Sequence, residues 1–297
     1  MRSPPTYFAF AVALLGIGVF SCMDAVMKGL VLAIGAYTTL LWRNVAGVAI
    51  SGALYLFKRP ALPTSAGLKL HAIRGAVSAV MAVAFFWGLA RVPMAQAVAL
   101  TFIAPLLSLF LSAMLLDERI ARSTIVASLT AFAGVVVILT GQWQSNLGPS
   151  ALAGALAVLA SAICYAFNIV LMRQQALVAG PIEVAFSQSL IVSALLAFGA
   201  PFFGALPDMK HLPMIVLAAA LAVVSLLLLA WAYARGKASA LSPSEYSAFF
   251  WASLFGWLLF GEHVSLPTLA GAALIVAGCI VASQQRPDPI IEMEAAI

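Results

Sequence analysis

The feature that most limits the fold of this chain is a succession of ten apolar runs. Each run is long enough to cross a bilayer as a helix, which takes about 20 residues. Only 8% of the 297 residues are charged, whereas a soluble domain carries about 25%. The runs also lack the apolar–polar alternation of a membrane barrel strand. The sequence therefore predicts an all-α integral membrane protein. We number the runs spans 1 to 10, and they fall roughly at 7–30, 36–57, 69–90, 94–115, 121–140, 149–173, 180–204, 211–233, 242–260 and 265–284.

The chain repeats itself at an offset of 144 residues. The segment WGLAR at 87–91 is matched by WAYAR at 231–235, and Glu118 is matched by Glu262. Each repeat contains five spans, and an odd number places the start of the second repeat on the opposite side of the bilayer. The two repeats are therefore predicted to be inverted relative to each other. In such proteins the working site usually lies between the halves.

Basic residues predict the orientation. With the N-terminus inside, eleven Lys and Arg fall in cytoplasmic segments and three in outer segments, which favours cytoplasmic N- and C-termini. The same bias accounts for the net charge of +5, so the charge gives no argument for a nucleic-acid partner. We predict repeats over 1–145 and 146–284 and a cytoplasmic tail over 285–297. The expected location is the bacterial inner membrane.

These features resemble the EamA-domain branch of the drug/metabolite transporter superfamily, over nearly the whole chain. Within it, the sequence looks most like the bacterial amino-acid exporters, including the aromatic amino-acid exporters of the YddG type. The resemblance implies a central cavity lined by spans 1, 3, 4, 6, 8 and 9. It also implies export by a secondary transporter. The segments that carry the resemblance are 87–93, 101–105, 115–118 and 131–134 in the first half, and 231–235, 258–262 and 269–278 in the second.

Two opposite charges lie deep in the first two spans. Asp24 is about six residues from the outer end of span 1 and Arg43 about seven from the outer start of span 2, so at about 1.5 Å per residue their depths match. A charge at such a depth usually pairs or faces water. We predict that Asp24 and Arg43 form a structural polar pair joined by a salt bridge. A second interpretation stays open: Asp24 also faces the cavity and binds a substrate ammonium group or a proton.

Deep aromatic residues are candidates for a substrate wall, because small-molecule sites are mostly apolar with a few polar groups. Ordinary helix packing is the competing interpretation for each ring. At the offset of 144, Asp24 corresponds to the neutral Asn168. The predicted substrate-binding residues are Asp24, Phe85, Phe102, Tyr165, Asn168, Ser225, Tyr246 and Phe249.

Other ionisable residues have structural interpretations. Lys28 is expected to extend to the outer interface, as long basic side chains do. Glu118 and Glu262, which close spans 4 and 9, are expected to be interfacial anchors. The segment Ser-Pro-Ser-Glu at 242–245 has the form of a capping box, so Ser242 and Glu245 are predicted to cap the start of span 9.

Two features concern the scaffold. Pro105 lies inside span 4 and is expected to kink it, because proline removes a backbone hydrogen bond. Small residues at 131 and 134, and at 270 and 271, predict close packing of spans 5 and 10.

The sequence lacks the motifs of an enzyme. The three histidines lie at span ends, and no HExxH, GxSxG or P-loop occurs. We therefore expect no catalytic residue, metal or cofactor. A cavity poor in fixed charge suits zwitterions with apolar side chains, so we predict export of amino acids, aromatic and other apolar ones, by alternating access. The alternative is export of drugs or other small metabolites, such as nucleosides or organic cations. The expected partners are this substrate and the lipid bilayer, with the protein a monomer or weak dimer.

Overall fold

Helices form nearly all the regular structure that the computed structural model describes, which covers residues 6–58, 64–116, 122–144, 149–176, 178–233, 235 and 242–283. Short 3₁₀ turns at Met209–His211 and Ser242–Tyr246 precede the ninth and tenth helices. The helices are α1 Thr6–Ile34, α2 Ala36–Lys58, α3 Ser65–Leu89, α4 Met94–Thr101, α5 Ile103–Leu116, α6 Arg122–Gln144, α7 Pro149–Ala176, α8 Pro181–Phe203, α9 Leu212–Tyr233, α10 Ser247–Phe260 and α11 Leu266–Ser283.

These helices confirm the predicted fold class, an all-α membrane protein of about ten helices. In the described part, 6 helices are long and apolar enough to cross a membrane. They are α1, α2, α3, α7, α8 and α9, and shorter apolar helices occupy the positions of spans 4, 5 and 10.

Span 4 is broken rather than merely kinked. The break falls at Phe102, whose backbone N–H bonds to the carbonyl of Ala99 at 3.2 Å, and it separates α4 from α5. Pro105 accounts for the position. A proline lacks the N–H that would bond to the carbonyl four residues earlier, that of Thr101, and its ring clashes with that carbonyl.

The two repeats are interleaved. The four most extensive helix interfaces, α6–α11, α3–α7, α1–α9 and α2–α8, each join one repeat to the other. At the offset of 144, α1 corresponds to α7 and α3 to α9. The two helix crossings α3–α7 and α1–α9 are therefore equivalent contacts related by the repeat. In one crossing the Ser161 hydroxyl donates to the carbonyl of Met81, and in the other Ser225 donates to the carbonyl of Gly16, both at 2.9 Å. The buried core therefore lies between the repeats.

Close packing of spans 5 and 10 is confirmed by two glycines. A Cβ on Gly134 would lie 2.6 Å from the carbonyl oxygen of Gly271, and a Cβ on Gly271 would lie 2.5 Å from that of Gly134. Neither distance is sterically possible, so only glycine lets the backbones of α6 and α11 touch here.

One residue joins α1 to α2. Gly35 has φ of 80°, a left-handed conformation that glycine adopts at little cost. Its N–H bonds to the carbonyl of Val31 at 2.9 Å, and the Thr39 hydroxyl donates to the Gly35 carbonyl at 2.7 Å. This tight turn keeps Asp24 and Arg43 on directly adjoining helices.

Candidate functional site

The deep charges Asp24 and Arg43 lie inside the bundle near each other but not in contact. Asp24 is 5% exposed, and the two groups interact electrostatically. Of the ion pairs formed by described residues, with N–O distances up to 4.0 Å, none joins them. The predicted direct salt bridge is therefore not formed. Oδ1 of Asp24 and Nε of Arg43 are buried without a hydrogen-bond partner, which leaves both available to a third group.

Other buried polar atoms also have no partner in the described part of the chain. Buried polar groups are normally hydrogen-bonded, so each of these atoms is a candidate contact for a polar ligand. They belong to Gln96, Gln188, Ser193, Ser244 and Ser247.

Two of the aromatic candidates meet at the contact between the repeats. Phe102, at the break between α4 and α5, packs edge-to-face against Tyr246 with ring centroids 5.6 Å apart. Phe85 and Phe249 are partly buried against the main hydrophobic core of the bundle. Phe85 contacts its neighbour Phe86, with ring centroids 5.1 Å apart.

Tyr165 and Ser225 differ in what their side chains can reach. Tyr165 on α7 is 38% exposed and is available to a ligand. Ser225 is fully buried, and its hydroxyl is used by the carbonyl of Gly16 on α1. Ser225 therefore joins α9 to α1, and the prediction that it binds substrate was wrong.

A groove of about 600 Å³ lies between α3 and α8. Its exposed members include Val80 and Trp87. None of the predicted substrate-binding residues lines it. The lining residues are Ala76, Ala79, Val80, Val83, Ala84, Trp87, Leu195 and Leu196. An apolar groove of this composition fits lipid chains better than a polar metabolite.

The end of α10 is shaped to place one carboxylate. Gly261 follows the helix with φ of 64°, and its N–H bonds to the carbonyl of Trp257 at 3.1 Å. The N–H of Glu262 bonds to the carbonyl of Gly256 at 3.0 Å, so the left-handed glycine turns the chain back over the last turn of the helix. A Cβ on Gly256 would lie 2.7 Å from Oε2 of Glu262. Glycine at 256 therefore leaves the space that the Glu262 side chain occupies.

Glu262 joins the two repeats. Its Oε1 pairs with Nζ of Lys28 on α1, and its Oε2 accepts the backbone N–H of Met94 at 2.8 Å. Lys28 also donates to the carbonyl of Val92 at 2.7 Å. Pro93, the residue before α4, makes no side-chain cap, so the carboxylate of the second repeat caps the first turn of α4 in the first repeat.

The predictions for Lys28 and Glu262 were wrong. Lys28 is 3% exposed rather than extended to the interface, and Glu262 binds the opposite repeat rather than anchoring a helix end. A carboxylate at the same depth neutralises the ammonium group, so the lysine stays buried. The signals available in the sequence were the recurrence of Glu118 as Glu262 and the glycine at 261. Glu118 itself lies outside the described residues.

A second polar network lies near the opposite end of the bundle, which we call the Glu183 end. Glu183, in the first turn of α8, contacts Nε2 of His71 at 3.0 Å. Gln175 on α7 joins Nδ1 of His71 to Nη1 of Arg74. Nε of Arg74 donates to Oδ1 of Asn168 at 2.8 Å.

Sequence reasoning missed this network. It placed His71 at a span end and Arg74 in a cytoplasmic segment, yet His71 is 1% exposed and both side chains are hydrogen-bonded within the bundle. The missed signal was the helical spacing of His71, Arg74 and Ser78 on α3, facing residues 168 and 175 on α7. In the described part, no group of three or more His, Cys, Asp or Glu side chains could hold a metal ion.

The start of α10 differs from the prediction. The α-helix begins at Ser247, after a 3₁₀ turn over Ser242–Tyr246, and its N-cap residue Tyr246 makes no side-chain cap. The α-helix therefore starts four residues later than a cap at Ser242 implies. The Ser242 side chain lies outside the described residues, so its capping role stays a prediction. Glu245 is exposed and interacts electrostatically with Tyr165.

The duplicated helical bundle, with its contacts concentrated between the halves, defines a two-repeat membrane transporter. The EamA-like transporter family model matches residues 7–140 and again 152–284. The chain belongs to this family. Its membership confirms the family predicted from the sequence, and it makes the protein a transporter rather than an enzyme.

The names of three relatives refer to different substrates. The chain is 27% identical over 281 residues to a pseudopaline exporter of Pseudomonas aeruginosa, covering 92% of this chain and 95% of that protein. It is 27% identical to a riboflavin transporter of Rhizobium johnstonii, covering 71% and 68%. It is 23% identical to an S-adenosylmethionine uptake transporter of Rickettsia bellii, covering 70% and 69%. None of these three names supports the aromatic amino-acid exporter type.

A solved crystal structure shares the fold. It aligns with a TM-score of 0.61 at 24% identity and covers 94% of this chain and 98% of its own. At this identity the likeness extends to the fold alone.

Proposed function

We propose that this protein is a secondary transporter that moves amino acids, aromatic and other apolar ones, out of the bacterial cytoplasm by alternating access. The protein resides in the inner membrane with both termini in the cytoplasm, as the distribution of basic residues favours. In this orientation the Glu183 end faces the cytoplasm and the Glu262 end faces outward.

The observation that carries the proposal is the separation of Asp24 from Arg43. A charge deep in a membrane span costs about 2.5–3.5 kcal/mol on insertion scales and is usually paired or faces water. These two stand close enough to interact but keep unpartnered Oδ1 and Nε atoms. A zwitterion supplies the complementary groups, an ammonium for Asp24 and a carboxylate for Arg43. The aromatic contact of Phe102 with Tyr246 supplies the apolar surface for its side chain.

The contact between Lys28 and Glu262 supports alternating access. It ties α1 and α4 of the first repeat to the end of α10 in the second. Exposure of a central site at this end requires these bonds to break. They therefore act as a latch on the outward side, and the cytoplasmic side opens while the latch is closed.

The relatives favour a second candidate function. Two of them bear the names of riboflavin and S-adenosylmethionine transporters, so transport of other small metabolites, such as nucleosides and organic cations, is the alternative. The pseudopaline exporter, aligned over nearly its whole length, supports export as the direction.

Flux into proteoliposomes tests the proposal. Labelled phenylalanine, leucine, adenosine and a quaternary ammonium cation are offered with and without a pH gradient. We expect saturable amino-acid counterflow. Movement of adenosine or the cation without any amino-acid flux would establish the second candidate instead.

The Asp24→Asn variant tests the site. Loss of a charge-assisted bond to the substrate ammonium predicts a fall in amino-acid flux of about tenfold or more, with the protein still folded. The control is Asp208→Asn, since Asp208 is exposed at the surface. Unchanged flux in Asp24→Asn, with only a lower unfolding temperature, would assign Asp24 a structural role.

A further inference from the structure

Arg74 is a cation inside the membrane-spanning part of the bundle, and none of the carboxylates that the structure describes pairs with it. It lies seven residues into the span that starts at Gly67, about 10 Å at 1.5 Å per residue. Among described residues the ion pairs involve Lys28, His71 and Lys210, not Arg74. Its two bonds go to neutral amide oxygens, those of Asn168 and Gln175. An unneutralised cation at this depth marks a functional position.

The two amides orient the guanidinium without cancelling its charge. The amide oxygen of Asn168 accepts from Nε and that of Gln175 accepts from Nη1, and these two bonds fix the plane of the guanidinium group. The Nη2 group donates to no described residue. Arginine binds carboxylates in a two-pronged geometry through neighbouring N–H groups. Arg74 therefore has its Nη2 group left to donate to a carboxylate oxygen, while Nε and Nη1 are held by the two amides.

A chain of further contacts holds the amides in place. Asn168 donates from Nδ2 to the Ser78 hydroxyl at 2.6 Å. The side-chain oxygen of Gln175 accepts a hydrogen bond from Arg74. The NH₂ group of Gln175 therefore faces Nδ1 of His71. Nδ1 must then accept, which places the proton of the neutral ring on Nε2, where it donates to Glu183 at 3.0 Å. Every orientation in the chain from Glu183 to Arg74 is thus determined.

The surroundings of Arg74 suit an amino-acid ligand. Tyr165, three residues before Asn168 on α7, is 38% exposed and interacts electrostatically with both Arg74 and Glu245. Glu245 is exposed and belongs to the second repeat. A cation, an acid and an aromatic ring from α3, the turn before α10, and α7 are thereby gathered at the Glu183 end.

We propose that Arg74 binds the carboxylate of the transported metabolite at a subsite near the Glu183 end, with Asn168 and Gln175 as positioning residues. The subsite is distinct from the deeper pair Asp24 and Arg43. It rests on the proposed function, because it assigns a substrate group to this transporter. In the proposed orientation it lies on the cytoplasmic side of the bundle.

Three probes of one shape test the proposal on the purified full-length protein. They are phenylalanine, 3-phenylpropionate, which lacks the amine, and phenethylamine, which lacks the carboxylate. We expect the two carboxylates to raise the unfolding temperature of the wild-type protein and phenethylamine to do so less. This comparison needs no variant, so it stands even if a substitution impairs folding. Equal stabilisation by phenethylamine, or none by either carboxylate, would overturn the proposal.

Variants then separate binding from turnover. Arg74→Lys keeps the charge and loses the Nη2 donor, and loss of one charge-assisted bond predicts a KM for phenylalanine flux raised by about 10- to 100-fold. Gln175→Leu should raise KM in the same sense with little change in kcat. The matched control is Arg91→Lys, since Arg91 stacks on Trp87 at 3.5 Å at the other end. Unchanged KM in Arg74→Lys would refute the subsite.

The failure of the subsite and the failure of the proposed function give different results. In one outcome, no amino acid moves in liposomes, yet carboxylates still stabilise the wild type and do not stabilise Arg74→Gln. This outcome would support the subsite and refute amino-acid export. If phenylalanine moves with the same KM in the wild type and Arg74→Lys, export stands and the subsite falls.

Discussion

The latch between Lys28 and Glu262 allows a quantitative prediction about opening of the outward end. Lys28→Met is the natural perturbation, because the second repeat carries Met172 at the corresponding position. The variant removes the ammonium group and its bonds to Glu262 and to the Val92 carbonyl. The Glu262 carboxylate keeps the Met94 N–H but loses its counter-ion.

The magnitude follows from the burial of the pair. The Lys28 side chain is 4% exposed and that of Glu262 18%. Removing one partner of a buried pair costs about 3–5 kcal/mol because the other charge stays desolvated. We take the lower figure, since Glu262 is partly exposed. About 3 kcal/mol corresponds to a factor of about 150 in the equilibrium between latched and unlatched states.

Cysteine labelling measures that equilibrium. Ala95 follows Met94 in α4 and is 3% exposed, so a cysteine placed there reacts with a membrane-impermeant maleimide only when the latch opens. In a background with the three native cysteines replaced by alanine, we expect Lys28→Met to raise the labelling rate by about 100-fold. Glu262→Gln should raise it as well, and the double variant should recover part of the change because no charge is left unpaired.

The control is Lys210→Met, which breaks the exposed pair with Asp208 at 3.0 Å, where both side chains are about 70% exposed. It should leave the labelling rate unchanged, because exposed pairs contribute little. A labelling rate in Lys28→Met within threefold of the wild type would refute the latch, whatever the change in unfolding temperature.

Two further predictions concern the scaffold. Gly271→Ala should lower the stability by about 1–3 kcal/mol, because its Cβ would sit 2.5 Å from the Gly134 carbonyl. Gly29→Ala, whose Cβ meets nothing within 4 Å, is the control, and chemical denaturation in detergent measures both. Pro105→Ala should let α4 continue into α5 through Phe102, since the missing N–H is restored. A structure of that variant with the break retained would show that another contact imposes it.

Sequence reasoning predicted the fold because the fold follows from local properties. The length of the apolar runs predicts the spans, and the odd number of spans in each repeat predicts the inversion. Small residues predict the close contact of α6 with α11. An irregularity in span 4 was anticipated from Pro105 for the same reason, although as a kink rather than as the break at Phe102. Each of these depends on the immediate neighbours of a residue.

The charged groups were predicted less well, because their roles depend on partners far along the chain. Lys28 and Glu262 are 234 positions apart, and neither has a neighbour in sequence that indicates the other. Arg74 was counted as cytoplasmic because charge bias treats every basic residue near a span end alike. Its amide partners on α7, Asn168 and Gln175, become visible only when the repeats are packed together. The sequence correctly placed Asp24 and Arg43 near each other inside the bundle, but it wrongly predicted a direct salt bridge between them.

The single-residue turn at Gly35 has a mechanical consequence. Because a single residue links them, a displacement at the end of α1 is expected to pass directly to the start of α2. Lys28 and Asp24 lie one helical turn apart on α1, and Arg43 lies on α2. Breaking the contact between Lys28 and Glu262 is therefore expected to shift both buried charges through the backbone of this hairpin.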